Sequence, residues 1–153
     1  MSTTTHAPRQ IDPSASLHAE SLGQAPHYHR LAGRRIVVVG AGQRKTVDPD
    51  PPVGNGRAMA VLFAREGATV ACIDIAKDAA DATVEQITAE GGKAFTETVD
   101  VADPAAITPT LMRCAERLGG LDGLALNVGI SQGLSLPKMT VEAWDKDYAV
   151  NVR

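Results

Sequence analysis

Four short apolar runs alternate with four helix-like segments between Arg34 and Arg153, and this alternation limits the possible folds more than any other feature. The runs read RRIVVVG, TVACIDI, KAFTETVDV and LDGLALNVG. The first two lack the polar alternation of a half-exposed strand, which is typical of strands buried on both faces. Strands that alternate with helices form parallel sheets with right-handed crossovers. We therefore expect an α/β fold, a doubly wound parallel sheet with helices on both faces and about four strands.

The helix-like segments predict which side chains face the sheet. In the first segment, GRAMAVLFAREGA, we expect Met59, Leu62 and Phe63 to form the buried stripe. In the second segment we expect the buried side to consist of Ala80, Val84 and Ile87. Pro109 in the third segment predicts either a separate first turn or a kink. The fourth strand is expected to leave one apolar edge open.

Residues 1–32 differ from the rest of the chain and predict a flexible N-terminal arm, with the folded domain over residues 33–153. The arm is rich in Ser, Thr, Pro and Ala and shows little periodicity. It has no apolar run long enough for a signal peptide or a membrane span. All four histidines lie in it, namely His6, His18, His27 and His29. A metal site at His27 and His29 is conceivable, but no Cys or acidic ligand stands at a suitable spacing, so we expect no metal.

The charge and the composition of the chain argue against nucleic acid and membranes as partners. A net charge of −3 and an aromatic content of 3% provide neither a basic footprint nor a stacking platform, so we expect no nucleic acid. We also expect no membrane association. Cys72 and Cys114 follow no metal or redox spacing, and each lies in an apolar stretch. They predict buried thiols in a reducing compartment, and hence a cytoplasmic protein.

Glycines mark both ends of the segment that joins the first strand to the first helix. Gly40 ends the strand, while Gly54 and Gly56 begin the helix. A helix N-terminus offers unpaired N–H groups and partial positive charge, and glycine allows a pyrophosphate to approach the backbone. The strict G-x-G-x-x-G string is absent, so glycines that merely serve tight turns remain an alternative.

Asp74 ends the second strand, twenty residues beyond Gly54. A carboxylate at this place can accept hydrogen bonds from the two hydroxyls of an adenosine ribose, and it would repel a 2′-phosphate. The next residue, Ile75, provides no basic group. Both features predict NAD as the cofactor, with NADP less favoured. The alternative role for Asp74 is a helix N-cap.

The glycine segment resembles that of the short-chain dehydrogenases/reductases. The motif of this family reads T-G-x-x-x-G-x-G, and Gly40, Gly54 and Gly56 match its glycines, with Val39 in place of the usual Thr. GNGRAMA resembles the family's GIGRAIA, with Asn55 at the middle position. About ten residues are inserted relative to the family, within residues 43–53.

Three later segments also resemble the family, each on the expected element. VDVAD resembles the stretch that holds the adenine, which implies that role for Asp100 and Val101. LNVGI resembles the family's NNAGI, and Asn127 and Gly129 match it. W…NVR resembles the helix that carries the structural-catalytic Asn, at Asn151. The resemblance covers about residues 31–153.

The resemblance implies a Rossmann-type fold and an NAD(P)-dependent oxidoreductase that interconverts small-molecule alcohols and ketones by hydride transfer. The implied cofactor-binding residues are Gly40, Gly54, Asn55, Gly56, Asp74, Ile75, Asp100, Val101, Asn127 and Gly129. Asn151 is the implied catalytic residue, but the family's Ser and Tyr-x-x-x-Lys are missing from the 153 residues. We therefore expect a cofactor-binding half that is inactive alone, belonging to a homodimeric or homotetrameric enzyme. The alternative is a non-catalytic nucleotide-binding module or an inactive fragment.

The inserted residues are open to two interpretations. QRKTVDPDPP could form a flap over the pyrophosphate, with Arg44 or Lys45 in contact with phosphate. The basic pair could also accommodate a 2′-phosphate. The other interpretation is a solvated excursion that leaves the glycine turn intact, since loops tolerate insertions at little cost.

Overall fold

The computed structural model describes residues 27–44, 46–47 and 51–152, in which strands and helices alternate in the predicted order. The strands are β1 (Arg35–Val39), β2 (Thr69–Asp74), β3 (Lys93–Thr98) and β4 (Gly123–Leu126). The helices are α1 (Asn55–Arg65), α2 (Lys77–Ala89), α3 (Pro104–Leu118) and α4 (Val141–Asn151), with a short 3-10 turn at Leu136–Lys138. None of these helices is long and apolar enough to cross a membrane.

The four strands form one parallel sheet in the order β3-β2-β1-β4, which confirms the predicted fold class. Val39, at the end of β1, is aligned with Ile73 of β2 on one side and Leu126 of β4 on the other. The chain moves outward from β1 to β3 and then crosses back to β4. The strand order therefore reverses beside β1, and parallel sheets bind ligands at the carboxyl ends of the strands at such a point.

Both faces of the sheet are covered, which explains the uninterrupted apolar sequence of the inner strands. On one face, Ile36 and Val38 pack in a core with residues of α1 and α2. On the other face, Val37 and Val39 pack with Cys114 and neighbouring residues of α3. Every residue of β1 after Arg35 is buried. Successive side chains of a strand point to opposite faces, so each must be apolar here.

Small residues form the buried side of α1, so the predicted stripe of large side chains is wrong. Leu62 is 46% exposed, and Met59 and Phe63 are half-buried, although Phe63 packs against the core. The buried residues of the helix are Gly56, Ala60, Val61 and Ala64. Three of them recur every four residues, and this stripe of small residues brings the helix backbone close to the sheet.

The third helix is continuous from Pro104 to Leu118, so of the two alternatives predicted from Pro109 the separate first turn does not occur, and the kink stays a prediction. The Asp103 carboxylate caps the helix by accepting a hydrogen bond from the Ala105 N–H at 3.0 Å. Pro104 stands at the first position, where a missing N–H costs nothing. Gly119 ends the helix in the left-handed conformation with φ of 75°.

The strand β4 lies at one edge of the described sheet. Within the described residues, β4 pairs with β1 alone, and its Leu124 and Leu126 are 44% and 75% exposed.

Residues 1–26 of the predicted arm lie outside the described residues. The end of the arm contacts the domain, because Leu31 N–H donates to the Glu66 carbonyl at 2.9 Å and Arg30 pairs with the Glu66 carboxylate at 3.2 Å. The boundary at residue 32 stays a prediction.

Candidate functional site

One cleft at the carboxyl ends of the strands brings the predicted cofactor-binding residues together. It has a volume of about 980 Å³. Its lining includes Gly40, Gly54, Asn55, Gly56, Asp74, Ile75, Asp100, Val101, Asn127 and Gly129. These residues come from five separate stretches of sequence, and the sheet topology alone places them side by side.

At the floor of the cleft, the backbones of Gly40 and Gly56 approach each other closely. Gly40 has φ of +80°, a conformation that side chains disfavour. A Cβ built on Gly56 would overlap the Gly40 carbonyl oxygen and lie 2.8 Å from Asn127 Nδ2. Asn127 Nδ2 also donates to the Gly40 carbonyl at 3.3 Å. The end of β1, the start of α1 and the end of β4 therefore meet at one point that only glycine at position 56 permits.

The N-terminus of α1 opens into this cleft. Gly54 is its N-cap residue and supplies no side-chain cap hydrogen bond, and the first turn of the helix contains no acidic residue. The backbone N–H groups of a first helical turn have no acceptor within the helix, and the helix dipole adds partial positive charge. The start of α1 therefore provides hydrogen-bond donors and favourable charge for an anion.

The Asp74 carboxylate forms the wall of the cleft next to the glycine turn. Its Oδ2 accepts a hydrogen bond from the Gly42 N–H at 2.9 Å, and its Oδ1 accepts one from the Ala76 N–H at 3.0 Å. Ala76 is the N-cap residue of α2 and the cap has no side-chain hydrogen bond, so the alternative role of Asp74 as an N-cap is wrong. A carboxylate has about four lone-pair sites, so two remain for a ligand.

Gly42 belongs to the site although sequence analysis did not assign it a role. A Cβ at this position would lie 2.7 Å from Asp74 Oδ2 and 2.7 Å from the Ala79 side chain. Glycine is therefore required for the carboxylate to reach the turn. The signal was present in the sequence, because removing residues 44–53 leaves GAGQGNG, in which Gly42 stands between Gly40 and Gly54.

The remaining wall residues lie at the ends of β2 and β3. Ile75 is 65% exposed at the rim. Asp100 is exposed, and its Oδ1 accepts a hydrogen bond from the Ala102 N–H at 2.8 Å. Val101 is half-buried and packs against the core beneath α3. This side of the cleft combines an apolar surface with backbone groups and one exposed carboxylate.

Asn151 lies at the end of α4 and is not among the residues that line the cleft. Its Oδ1 accepts a hydrogen bond from the Ile130 N–H at 2.8 Å, and its Nδ2 donates to the Ile130 carbonyl at 2.9 Å. Both ends of the amide are therefore engaged by one backbone residue of the loop after β4. Ile130 itself lines the cleft beside Gly129, so Asn151 fixes a part of the backbone that borders the site.

The two ends of the insertion are tied together by Gln43. Its Oε1 accepts a hydrogen bond from the Gly54 N–H at 3.3 Å, and its Nε2 donates to the Pro52 carbonyl at 3.5 Å. Arg44 lines the cleft. Lys45 and residues 48–50 lie outside the described residues, so the flap and the solvated excursion both stay predictions.

The described residues contain no group of three or more His, Cys, Asp and Glu side chains that could hold a metal ion. Cys72 and Cys114 are buried in the two cores, in agreement with the predicted buried thiols. Burial raises the pKa of Cys72 to about 12 and that of Cys114 to about 11. Neither thiol is ionised near neutral pH, so neither is a nucleophile.

Fold and cleft together define a doubly wound α/β protein with a glycine turn at the switch point of its sheet. A family model described as short chain dehydrogenase matches residues 52–153. The chain therefore belongs to the short-chain dehydrogenase/reductase family of oxidoreductases.

Individual relatives agree with this membership. The chain is 32% identical over 124 residues to the 3-oxoacyl-(acyl-carrier-protein) reductase of Thermotoga maritima, covering 81% of this chain and 46% of the relative. It is 35% identical over 127 residues to versicolorin reductase 1 of Aspergillus parasiticus, covering 82% and 44%. A crystal structure of a short chain dehydrogenase from Burkholderia cenocepacia in complex with NADP has a TM-score of 0.69 and 36% identity, covering 81% and 47%. The chain thus spans about half the length of these relatives.

Proposed function

We propose that this chain is the cofactor-binding part of an NAD-dependent oxidoreductase that interconverts an alcohol and a ketone. The observation that carries the proposal is the convergence of the glycine turn, the α1 N-terminus and Asp74 on one cleft. The bound cofactor would accept or supply the hydride. The protein would position the cofactor and the substrate, which we expect to be a small-molecule alcohol or ketone.

The residues present fit an adenine dinucleotide. The N–H groups of Asn55 and Gly56 would bind the diphosphate, because they begin α1 beside the glycine turn. The lone pairs that remain on Asp74 would accept hydrogen bonds from the adenosine ribose hydroxyls. Asp100 and Val101 would flank the adenine. Asn127 and Gly129, with the loop that Asn151 holds, would border the nicotinamide half of the cofactor.

Charge at the ribose end supports NAD over NADP. A 2′-phosphate beside Asp74 would place two negative charges together, and Ile75 supplies no cation to offset them. NADP remains the alternative, because the relative from Burkholderia cenocepacia was solved with it. Arg44, which lines the same cleft, is the residue that would accommodate a 2′-phosphate in that case.

In the proposal, the Ser and the Tyr-x-x-x-Lys of the family mechanism lie outside the 153 residues, and the enzyme is a cytoplasmic homodimer or homotetramer. Asn151 would act as a positioning residue, since its amide is engaged with the Ile130 backbone.

The test is a calorimetric titration of the complete protein encoded by the gene with NAD and NADP. We expect NAD to bind more tightly, and Asp74→Ser to raise the NAD dissociation constant by about 10- to 100-fold, as expected for the net loss of about one hydrogen bond to a charged group. Asp145→Ser, an exposed change on α4, is the control and should leave both constants unchanged. Tighter binding of NADP by the wild type would overturn the cofactor choice. Binding of neither nucleotide would overturn the proposed function.

A further inference from the structure

A buried threonine outside the cleft contacts the part of the glycine turn that Asp74 also contacts. We infer that Thr83 of α2, held by Arg57 of α1, is a positioning residue that fixes the peptide group between Ala41 and Gly42 and thereby the Asp74 carboxylate. Thr83 would then set both the affinity for the dinucleotide and the discrimination against a 2′-phosphate. This inference rests on the proposed function and assigns a role to a residue that does not touch the cofactor.

The Thr83 hydroxyl is fully buried on a helix side that otherwise carries apolar residues. Its Oγ1 lies 2.9 Å from the Ala41 carbonyl oxygen and 3.3 Å from the Ala79 carbonyl oxygen of its own helix. Arg57 Nε donates to the same Oγ1 at 3.1 Å. A hydroxyl has one proton to donate. With the arginine N–H on a lone pair, that proton is directed to the nearer acceptor, the carbonyl of Ala41.

The hydrogen bond from Thr83 to the Ala41 carbonyl also affects the Gly42 N–H, because both groups belong to one peptide unit. The Ala41 carbonyl and the Gly42 N–H belong to one planar unit and point in opposite directions. Thr83 donates to the carbonyl at 2.9 Å, and Asp74 Oδ2 accepts from the N–H at 2.9 Å. The unit is therefore held from both sides, by α2 and by the end of β2. It cannot rotate without breaking one of these two hydrogen bonds.

Loss of the Thr83 hydroxyl would release one side of this unit. The Ala41 residue is fully buried, so its carbonyl would turn to find another donor, since a buried carbonyl without a partner is costly. The same rotation would move the Gly42 N–H away from Asp74 Oδ2. The carboxylate would then keep its hydrogen bond to Ala76 alone and would be less well fixed for the ribose hydroxyls.

The experiment compares Thr83→Val with Thr110→Val in the complete protein. Thr110 is a closely matched control, because it is also buried in a helix, donates to a carbonyl of its own helix (Ala106, 2.8 Å) and accepts from an arginine (Arg113, 3.0 Å). It lacks the tie to the glycine turn. We expect Thr83→Val to raise the NAD dissociation constant by about 3- to 10-fold, which is the effect of about one hydrogen bond. We also expect it to reduce the ratio of the NADP dissociation constant to the NAD dissociation constant. Thr110→Val should change neither value by more than about twofold.

Two further variants separate positioning from general stability. Thr83→Ser keeps the hydroxyl and should restore the affinity and the NAD preference of the wild type. Arg57→Met keeps a long side chain at a half-buried position but removes the Nε donor, and should weaken NAD binding in the same direction as Thr83→Val. Arg57→Met thus tests the inference even if Thr83→Val does not fold.

Three results of these titrations would contradict the positioning role of Thr83. If the wild type binds NAD and both Thr83→Val and Arg57→Met bind it within about twofold of the wild type, the positioning role is wrong while the proposed function stands. If Thr110→Val weakens NAD binding as much as Thr83→Val, the effect is one of stability and the inference is also wrong. If the wild type binds neither NAD nor NADP, the proposed function and this inference fall together.

Discussion

Replacement of Gly56 by alanine tests the contact on which the geometry of the cleft depends. The added Cβ would overlap the Gly40 carbonyl oxygen and lie 2.8 Å from the Gly40 carbonyl carbon. Nonbonded carbon atoms rest about 3.5 Å or more apart, so α1 would have to move by at least about 0.7 Å, and further to clear the oxygen. The next buried residues on the same stripe of α1 are Ala60 and Ala64, so a shift of the helix would also disturb their contacts with the core.

We expect Gly56→Ala to lower the free energy of unfolding by about 3 kcal/mol, at the upper end of the usual range for overpacking. The assay is urea denaturation of the complete protein, followed by circular dichroism. Gly54→Ala is the matched control, because a Cβ there would meet Gln43 Cγ at an ordinary 3.9 Å, and we expect it to cost below about 1 kcal/mol. A Gly56→Ala protein as stable as Gly54→Ala would refute the close approach of α1 to β1.

Three further predictions concern stability and reactivity. The hydrogen bonds and charge of its arginine partner hold the pKa of Glu66 at about 2, below its usual 4.5, so its stabilising effect is present above pH 4.5 and is lost as the pH falls towards 2. The difference in urea midpoint between wild type and Glu66→Gln should therefore shrink over that interval; a constant difference would contradict the ion pair. Cys72 and Cys114 should react with a thiol reagent at pH 8 only after denaturant is added, and rapid labelling of the native protein would contradict their burial. Asn151→Ala should accelerate hydrogen exchange of the Ile130 amide and cost about 1–2 kcal/mol of stability, whereas unchanged exchange would show that the two hydrogen bonds do not hold this loop.

The fold could be predicted from the sequence because several independent patterns indicated the same fold. The packing of α1 could not be predicted in this way. Apolar runs and helical periods agreed on the strand order along the chain, and parallel pairing with helices on both faces was the expected result. Large side chains such as Leu62 suggested the wrong face of α1. The actual face, with Ala60 and Ala64 beneath Gly56, is determined by the need for close backbone approach, which periodicity of large apolar residues does not report.

The cofactor-binding residues predicted from sequence all line one cleft, and their roles there stay predictions. Asp74 and Asn127 line the cleft because Asp74 ends β2 and Asn127 directly follows β4. Gly42 and Thr83 were missed for physical reasons. The insertion separated Gly42 from its companion glycines, and Thr83 serves through a backbone carbonyl 42 positions away in sequence, a contact that only the folded sheet creates. Of the two effects predicted from Pro109, the separate first turn is wrong, because the helix continues through Pro109, and the kink stays a prediction.

The most direct test of the central claim is a crystal structure of the complete protein grown with NAD. We expect electron density for the diphosphate at the N-terminus of α1 beside Gly56, with the adenosine ribose hydroxyls hydrogen-bonded to the Asp74 carboxylate. A nucleotide bound at another place, or an Asp74 carboxylate directed away from the ribose, would contradict the account.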